Sequence, residues 1–234
     1  MMPNIGELIG GQVSVKAIRD VRFEDLLGRE EVRLDADLIK QSYQNKRILI
    51  TGAGGSIGSE LVRQVGHYHP GALGLLDFSE YNLFQIDRAT RQEFEYIPVK
   101  TYLSDIRIVN TMRRAFEDFR PHIVFHAAAY KHVPLQELNP REAIFNNIQG
   151  TRRLADMACE YGVERFVLVS TDKAVRSTNI MGATKRVAEM LLECRNGDAV
   201  IRAAGSWLCD SVTSWEAPAP SFRSSSSRSR IGCR

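Results

Sequence analysis

The chain has 234 residues, 44% of them hydrophobic, which suffices for one large domain or two small ones with a proper core. Of its 31 basic and 28 acidic residues, five Arg and two acids lie from Arg202 onward. The excess charge therefore belongs to the tail, and the balanced body does not read as a nucleic-acid binder. Cys159, Cys194, Cys209 and Cys233 lack a Cys-x-x-Cys spacing, which argues against a zinc site or a disulfide framework and suits reduced thiols. No apolar run approaches the roughly 20 residues that span a bilayer, and the start lacks the basic-then-apolar pattern of a signal peptide, so a soluble, cytoplasmic chain is expected.

In chain order, residues 1–45 read as an extended leader holding one short helix that packs on the main domain. Residues 46–202 alternate strand and helix. Lys46–Thr51 is a continuous apolar run, as in a parallel strand buried on both faces. Ile57–Val65 reads as helix, Ala72–Asp77 as strand, Tyr81–Gln92 as helix and Ile97–Leu103 as strand. A helix at Ile108–Phe119 and a strand at His122–His126 follow. Pro140 and the spacing of Ile144, Leu154, Met157 and Ala158 predict a long helix ending near Tyr161. Arg165–Ser170 is a fifth strand and Met181–Cys194 a helix. Repeated βαβ units with short links imply an α/β, doubly wound parallel sheet of the Rossmann type. Residues 203–234, with a run of four serines from Ser224, two prolines and scattered Arg, show no periodicity and read as disordered.

The segment Thr51-Gly52-Ala53-Gly54-Gly55-Ser56-Ile57-Gly58 ends the first strand and opens the first helix. Gly52, Gly55 and Gly58 carry the spacing of a phosphate cradle. Missing side chains let the backbone approach a pyrophosphate, and the helix N-terminus offers free N–H groups to the anion. Asp77 follows about 20–25 residues later, where an acid accepts hydrogen bonds from the adenosine ribose hydroxyls. That favours NAD over NADP, with NADP left open. Asp105, followed by Ile106, ends the third strand, where such folds meet the adenine. For both acids the competing reading is a helix cap.

The glycine spacing resembles that of the extended short-chain dehydrogenase/reductase family, and later motifs narrow the likeness. The stretches His126-Ala127-Ala128-Ala129-Tyr130-Lys131-His132-Val133-Pro134, Asn139-Pro140-Arg141-Glu142-Ala143 and Asn147-Ile148-Gln149-Gly150-Thr151 resemble the nucleotide-sugar 4,6-dehydratases of polysaccharide biosynthesis. So do Ser170-Thr171-Asp172-Lys173-Ala174-Val175 and Met181-Gly182-Ala183-Thr184-Lys185-Arg186. The leader segment Glu24-Asp25-Leu26-Leu27-Gly28-Arg29 is similar to the linker of the long members. Those are anchored at the cytoplasmic face of the inner membrane by helices upstream, of which this sequence has no counterpart.

The resemblance implies a UDP-sugar substrate, a UDP-N-acetylhexosamine with UDP-N-acetylglucosamine first among candidates, and a chain compatible with a homo-oligomer. Hydride leaves C4 for NAD(P)⁺ and yields a 4-keto sugar. The C5 proton is removed, the C6 hydroxyl departs as water, and hydride returns to C6. Carried onto these residues, Thr171 bonds the C4 oxygen, Asp172 is the acid for the departing hydroxyl and Lys173 the C5 base. Such a base works when burial or nearby cations favour the neutral amine. Lys185 bonds the nicotinamide ribose, and Ala127, Ala128, Ala129, Lys131 and Asn147 complete the cofactor side. On the bare residues, Asp172-Lys173 equally suits a solvated loop pair.

Met181 stands where most of the superfamily has a proton-transferring Tyr. Methionine moves no proton, so the C4 proton must leave through Thr171, Asp172, water or the substrate. One subgroup of the dehydratases shares this Met, and a core Met at a helix start is compatible with it. A 4-epimerase on the same fold ranks lower, because it wants Tyr at position 181. A non-catalytic dinucleotide-binding module is the third reading. His126 and His132 lack metal-ligand partners at helical spacing. They read as a buried hydrogen-bonded residue and a pocket-edge one beside Lys131.

In the resembled family the sixth strand runs into Arg-Phe-Gly-Asn-Val-Leu-Gly-Ser and then Ser-Gly-Ser-Val-Ile-Pro. Allowed codons for Ser211 to Ala217, read one base earlier, encode Phe-Gly-Asn-Val-Leu-Gly-Ser, and the same shift through Arg223 gives Ser-Gly-Ser-Val-Ile-Pro. A one-base frameshift between about Gly197 and Ser206 is therefore expected. It leaves the fold incomplete at the C-terminus, with an aberrant tail in place of the substrate-binding part, and predicts a chain that binds NAD weakly and turns over no sugar nucleotide.

Overall fold

The computed structural model of the chain describes residues 36–196, 201–205 and 209–216. The expected leader therefore lies mostly outside the described residues. Its one helix within them, α1 (Ala36–Tyr43), ends on Tyr43, whose ring meets Phe125 and Tyr68 edge-on.

Five parallel strands form the centre: β1 (Arg47–Thr51), β2 (Ala72–Asp77), β3 (Val99–Leu103), β4 (Ile123–His126) and β5 (Arg165–Val169). Their helices are α2 (Ser56–His67), α3 (Glu80–Glu93), α4 (Val109–Phe119), α5 (Val133–Leu138), α6 (Pro140–Ala143), α7 (Thr151–Glu160) and α8 (Ile180–Asn196). In β1, Ile48, Leu49 and Ile50 are all fully buried, because successive side chains enter two different cores. Leu49 joins Leu76, Phe116, Val124, Leu154, Phe166 and Leu192 on one face. Ile48 and Ile50 join Val62, Leu73, Leu75, Phe94 and Phe125 on the other. Helices on both faces are what an apolar parallel strand requires. Element boundaries differ from those expected by one or two residues.

The strand order is β3-β2-β1-β4-β5, extended at the β5 edge by two further strands. The chain leaves β1 toward β2 and returns across the sheet to β4, so the order reverses between β1 and β4. In an open α/β sheet, ligands bind outside the strand carboxyl ends at such a point.

The helix α5 at Val133–Leu138 was not expected, and two further features depart from the expectations. The expected long helix does run from Pro140 to Glu160, but Ile144–Gly150 is wound as a π-helix. Its extra residue per turn rotates Asn146 and Asn147 relative to an α-helical register. The tail also departs, since β6 (Ile201–Gly205) and β7 (Cys209–Glu216) lie where disorder was expected. β7 pairs antiparallel with β5, and β6 antiparallel with β7. The edge of β5 offers unpaired backbone groups, and Val212, Thr213 and Trp215 are residue types with strand preference.

Candidate active site

The crevice lies where β1 and β4 part. Thr51 and His126 stand opposite each other in the ladder. Their side chains share a buried 2.7 Å hydrogen bond, and His126 Nε2 lies 2.9 Å from Thr151 Oγ1. This chain of three polar groups ties β1, β4 and α7 together under the switch point. Burial, with Lys185 nearby, pushes His126 down to about 3, so the ring is neutral. It is the buried, hydrogen-bonded histidine that was expected.

Immediately after Thr51, Gly52 turns the chain at φ +68°, and a Cβ there would sit 2.7 Å from the Ala128 amide nitrogen. A Cβ on Gly58 would fall 1.9 Å from the Gly52 carbonyl oxygen, so its absence lets α2 close on the turn. Gly55 differs: its nearest such neighbour is the Gly52 oxygen at 3.3 Å, and it faces the crevice. As the N-cap of α2 it supplies no side-chain cap, and no acid occupies the first turn. The first amides of α2 are thus left to an external acceptor, an arrangement suited to a pyrophosphate.

At one end the crevice is walled by Gly52, Gly55, Asp77, Asp105, Ile106 and Ala127 to Tyr130. Asp77 is nearly buried. Its Oδ2 accepts from the Gly54 amide and its Oδ1 from the Ser79 amide, each at 2.9 Å. The cap of α3 is Ser79, so the helix-cap reading of Asp77 falls. Asp105 is not a helix cap either. It accepts from the Arg107 amide at 2.8 Å and pairs with the Arg107 guanidinium. Burial opposes its ionisation, and the Arg107 hydrogen bonds outweigh that, leaving its carboxyl below the usual range.

At the other end the walls are Ile57, Ala127, Ala129, Tyr130, Lys131, Ser170, Thr171, Lys173, Met181 and Lys185. The Lys185 ammonium is buried and donates to the Val169 carbonyl at 2.7 Å. Met181 is buried in the first turn of α8. The Thr171 hydroxyl donates to Asp172 Oδ1 at 3.0 Å, and the Lys173 ammonium lies 3.4 Å from the same oxygen. Chiefly through that Thr171 bond, and then through Lys173, the Asp172 carboxyl is held below the usual range.

The expected residues thus divide. Gly52, Gly55, Ile57, Asp77, Asp105, Ile106, Ala127, Ala128, Ala129, Lys131, Thr171, Lys173, Met181 and Lys185 line two adjoining pockets that share Ala127, Ala129 and Tyr130. Gly54, Ser56, Gly58, Asn147 and Asp172 do not. Gly54 and Gly58 shape the turn, Ser56 is exposed at the helix start, and Asp172 points to solvent beside Thr171. Asn147 is buried and turned away: it accepts from the Tyr130 amide and donates to the Tyr130 carbonyl and Thr184 Oγ1. Its neighbour Asn146 lines the crevice instead, as do Tyr130, Phe78, Asn82 and Ser104. The tandem Asn146-Asn147 was the available signal, but choosing between them required the π-helical register.

Among the described residues no group of three His, Cys, Asp or Glu could hold a metal ion, and no helix is long and apolar enough to cross a membrane.

Comparison with known proteins shows the family. Residues 48–203 match the family described as polysaccharide biosynthesis proteins. The capsular polysaccharide biosynthesis protein CapD of Staphylococcus aureus is 45% identical over 201 residues, 84% of this chain and 33% of its own length. A UDP-N-acetylglucosamine 4,6-dehydratase (inverting) of Campylobacter jejuni is 33% identical over 158 residues, 67% of this chain and 46% of its own. The crystal structure of the Thermus thermophilus UDP-glucose 4-epimerase in complex with NAD superposes at TM-score 0.52 and 25% identity, covering 63% of this chain and 50% of that one. The chain spans a third to a half of the length of these relatives. With the match running from Ile48 in β1 through β5, the chain belongs to the polysaccharide biosynthesis protein family, a group of nucleotide-sugar dehydratases and epimerases.

Proposed function

We propose that this chain carries the dinucleotide-binding and proton-transfer half of a nucleotide-sugar 4,6-dehydratase acting on a UDP-N-acetylhexosamine, with UDP-N-acetylglucosamine the first substrate to test. The reading rests on one observation. The pocket at the glycine turn adjoins the pocket lined by Thr171, Lys173, Met181 and Lys185, the two sharing Ala127, Ala129 and Tyr130 at the switch point. The NAD complex of the structurally similar epimerase supports the cofactor.

The residues present fit NAD. The open side of Gly55 and the uncapped start of α2 suit the diphosphate. Asp77 takes the adenosine ribose, and Asp105 with Ile106 the adenine. Asn146, Ala127 to Ala129 and Lys185 take the remainder. When bound, nicotinamide supplies a reversible hydride acceptor for C4 and donor for C6.

Thr171 faces the crevice, whereas Asp172 does not, and their hydroxyl–carboxylate bond joins the two. Thr171 accepts the C4 hydroxyl proton and passes its own to the ionised Asp172, which solves the problem that Met181 poses. The proton stored on Asp172 returns through the Thr171 hydroxyl, which faces the crevice, to the departing C6 hydroxyl, so Asp172 is the acid and Thr171 its relay. Lys173, half exposed beside Asp172, removes the C5 proton once the substrate has excluded water around it. Lys185 is fixed on Val169 and keeps positive charge beside the developing C4 oxygen. The epimerase alternative loses support at Met181, which cannot serve as its C4 base.

Titration of the chain with NAD⁺ tests the first half. The second half needs a protein with the expected reading frame restored, supplied with UDP-N-acetylglucosamine and followed for 4-keto-6-deoxy product. A frame-restored protein that binds NAD but returns only a C4 epimer would establish the epimerase instead.

A further inference from the structure

We propose that Glu189 is a positioning residue that locks the loop after β5 to α8, and so sets where Thr171 and Lys173 stand relative to Lys185. Glu189 lies one helical turn beyond Lys185, on the same face of α8. Its carboxylate is buried, accepts from the buried Ser170 hydroxyl at 2.5 Å and pairs with Arg186 at 2.9 Å. Ser170 is the residue between Val169, which holds Lys185, and Thr171, which lines the crevice. Lys185 and Glu189 thus grip consecutive residues of one strand end from one helix.

Burying a carboxylate is costly unless it is hydrogen-bonded and paired. Here both partners are in place, and neither touches the crevice end where adenine is expected. The packing leaves the loop little slack. A Cβ on Gly182 would sit 2.1 Å from the Lys173 carbonyl oxygen, so the first turn of α8 rests directly on the Asp172–Ala174 turn. With α8 seated there, a hydroxyl–carboxylate bond one turn beyond Lys185 decides how the strand end is tilted.

This inference rests on the dinucleotide reading, and two ligands separate the failures. ADP occupies only the glycine turn and the adenine end, whereas NAD⁺ also reaches Lys185. Calorimetric titration of the full chain with each ligand would compare wild type, Ser170→Ala, Glu189→Leu, Glu189→Gln and the Ser170→Ala/Glu189→Leu double variant. Ser170→Ala and Glu189→Leu are expected to bind NAD⁺ about tenfold more weakly, the effect of losing one charge-assisted hydrogen bond. ADP affinity should stay within about twofold on the same scale. Glu189→Gln, which keeps an acceptor for Ser170, should recover most of the loss, and the double variant should be no worse than the poorer single. Wild-type NAD⁺ affinity in Ser170→Ala, or an equal loss for ADP and NAD⁺, would overturn the positioning role. A wild-type chain that binds neither ligand would remove the dinucleotide reading itself.

Discussion

The Gly54 amide donates to the Asp77 carboxylate at 2.9 Å, joining the glycine turn to the end of β2 across 23 residues of sequence. The same carboxylate holds the Ser79 amide. An acid that dinucleotide chemistry assigns to a ribose is therefore also a brace for the glycine turn. Asp77→Ala should cost about 1–3 kcal/mol of stability with no ligand present, from two part-buried amides losing their acceptor. Urea unfolding of the two proteins measures this. Equal midpoints would confine Asp77 to ligand binding.

Gly55 and Gly58 should separate binding from folding. At Gly58 an added methyl meets the Gly52 carbonyl at 1.9 Å. Gly58→Ala should therefore push α2 off the turn and cost about 3 kcal/mol, the upper end for overpacking. At Gly55 the methyl meets the same oxygen only at 3.3 Å and projects into the crevice. Gly55→Ala should keep its melting temperature within a few degrees yet lose NAD⁺ affinity more than about tenfold, as a blocked phosphate approach would. The opposite ranking in stability would mean that the turn is built differently.

Much of this architecture is legible in the sequence, because burial on two faces leaves a plain mark. Ile48, Leu49 and Ile50 read as a strand in a parallel sheet since both of its faces are covered. The crevice is legible as well, since Gly52 and Gly55 answer a local backbone demand. Asn147 is different. Hydrophobic spacing reports an average turn, and a single π-helical stretch between Ile144 and Gly150 moves Asn146 to the crevice and Asn147 to the Tyr130 backbone. The second task of Asp77 is likewise hidden, because no local pattern records a bond to an amide in another loop. The pairing of β7 with β5 was missed for the same kind of reason: a free strand edge recruits whatever extended segment lies near it.

His126 makes stability pH-dependent with a definite sign. Its folded value of about 3 lies below the 6.5 of a free histidine. Between those values the unfolded chain holds a proton that the folded chain excludes. This contribution is complete above pH 6.5 and is lost as pH falls toward 3, at a limiting slope of about 1.4 kcal/mol per unit. Urea unfolding at pH 7, 6 and 5 should show stability falling with acid, less steeply for His126→Asn. Parallel profiles would place the proton uptake on another group.

Thr171 is the larger cause of the acidity of Asp172. Thr171→Val removes the hydroxyl while nearly preserving the shape, so the Asp172 carboxyl should titrate at a higher pH in the variant. Carbon-detected NMR of the side-chain carboxyl reports this directly and requires no turnover. An unmoved titration would show that Lys173 alone sets the charge, and would break the proposed path from the C4 hydroxyl through Thr171 to Asp172.

The antiparallel β7 bears on the proposed frameshift. A doubly wound sheet continues past β5 with another parallel strand reached by a right-handed crossover, yet Cys209–Glu216 runs the other way against Arg165–Val169. Ser211 to Ala217 can be encoded by bases that, read one position earlier, spell Phe-Gly-Asn-Val-Leu-Gly-Ser, the segment expected after the sixth strand in the resembled dehydratases. If the shift is real, the DNA must use codons such as TCG, GTA, ACG, TCC, TGG and GAA from Ser211 to Glu216, with T as the last base for Asp210. Restoring the frame should then replace the antiparallel pairing at β5 with a parallel one and bring sugar-nucleotide turnover with it. Sequencing the gene decides the matter before any protein is made: a single third-position base incompatible with the shifted peptide is enough to sink the idea.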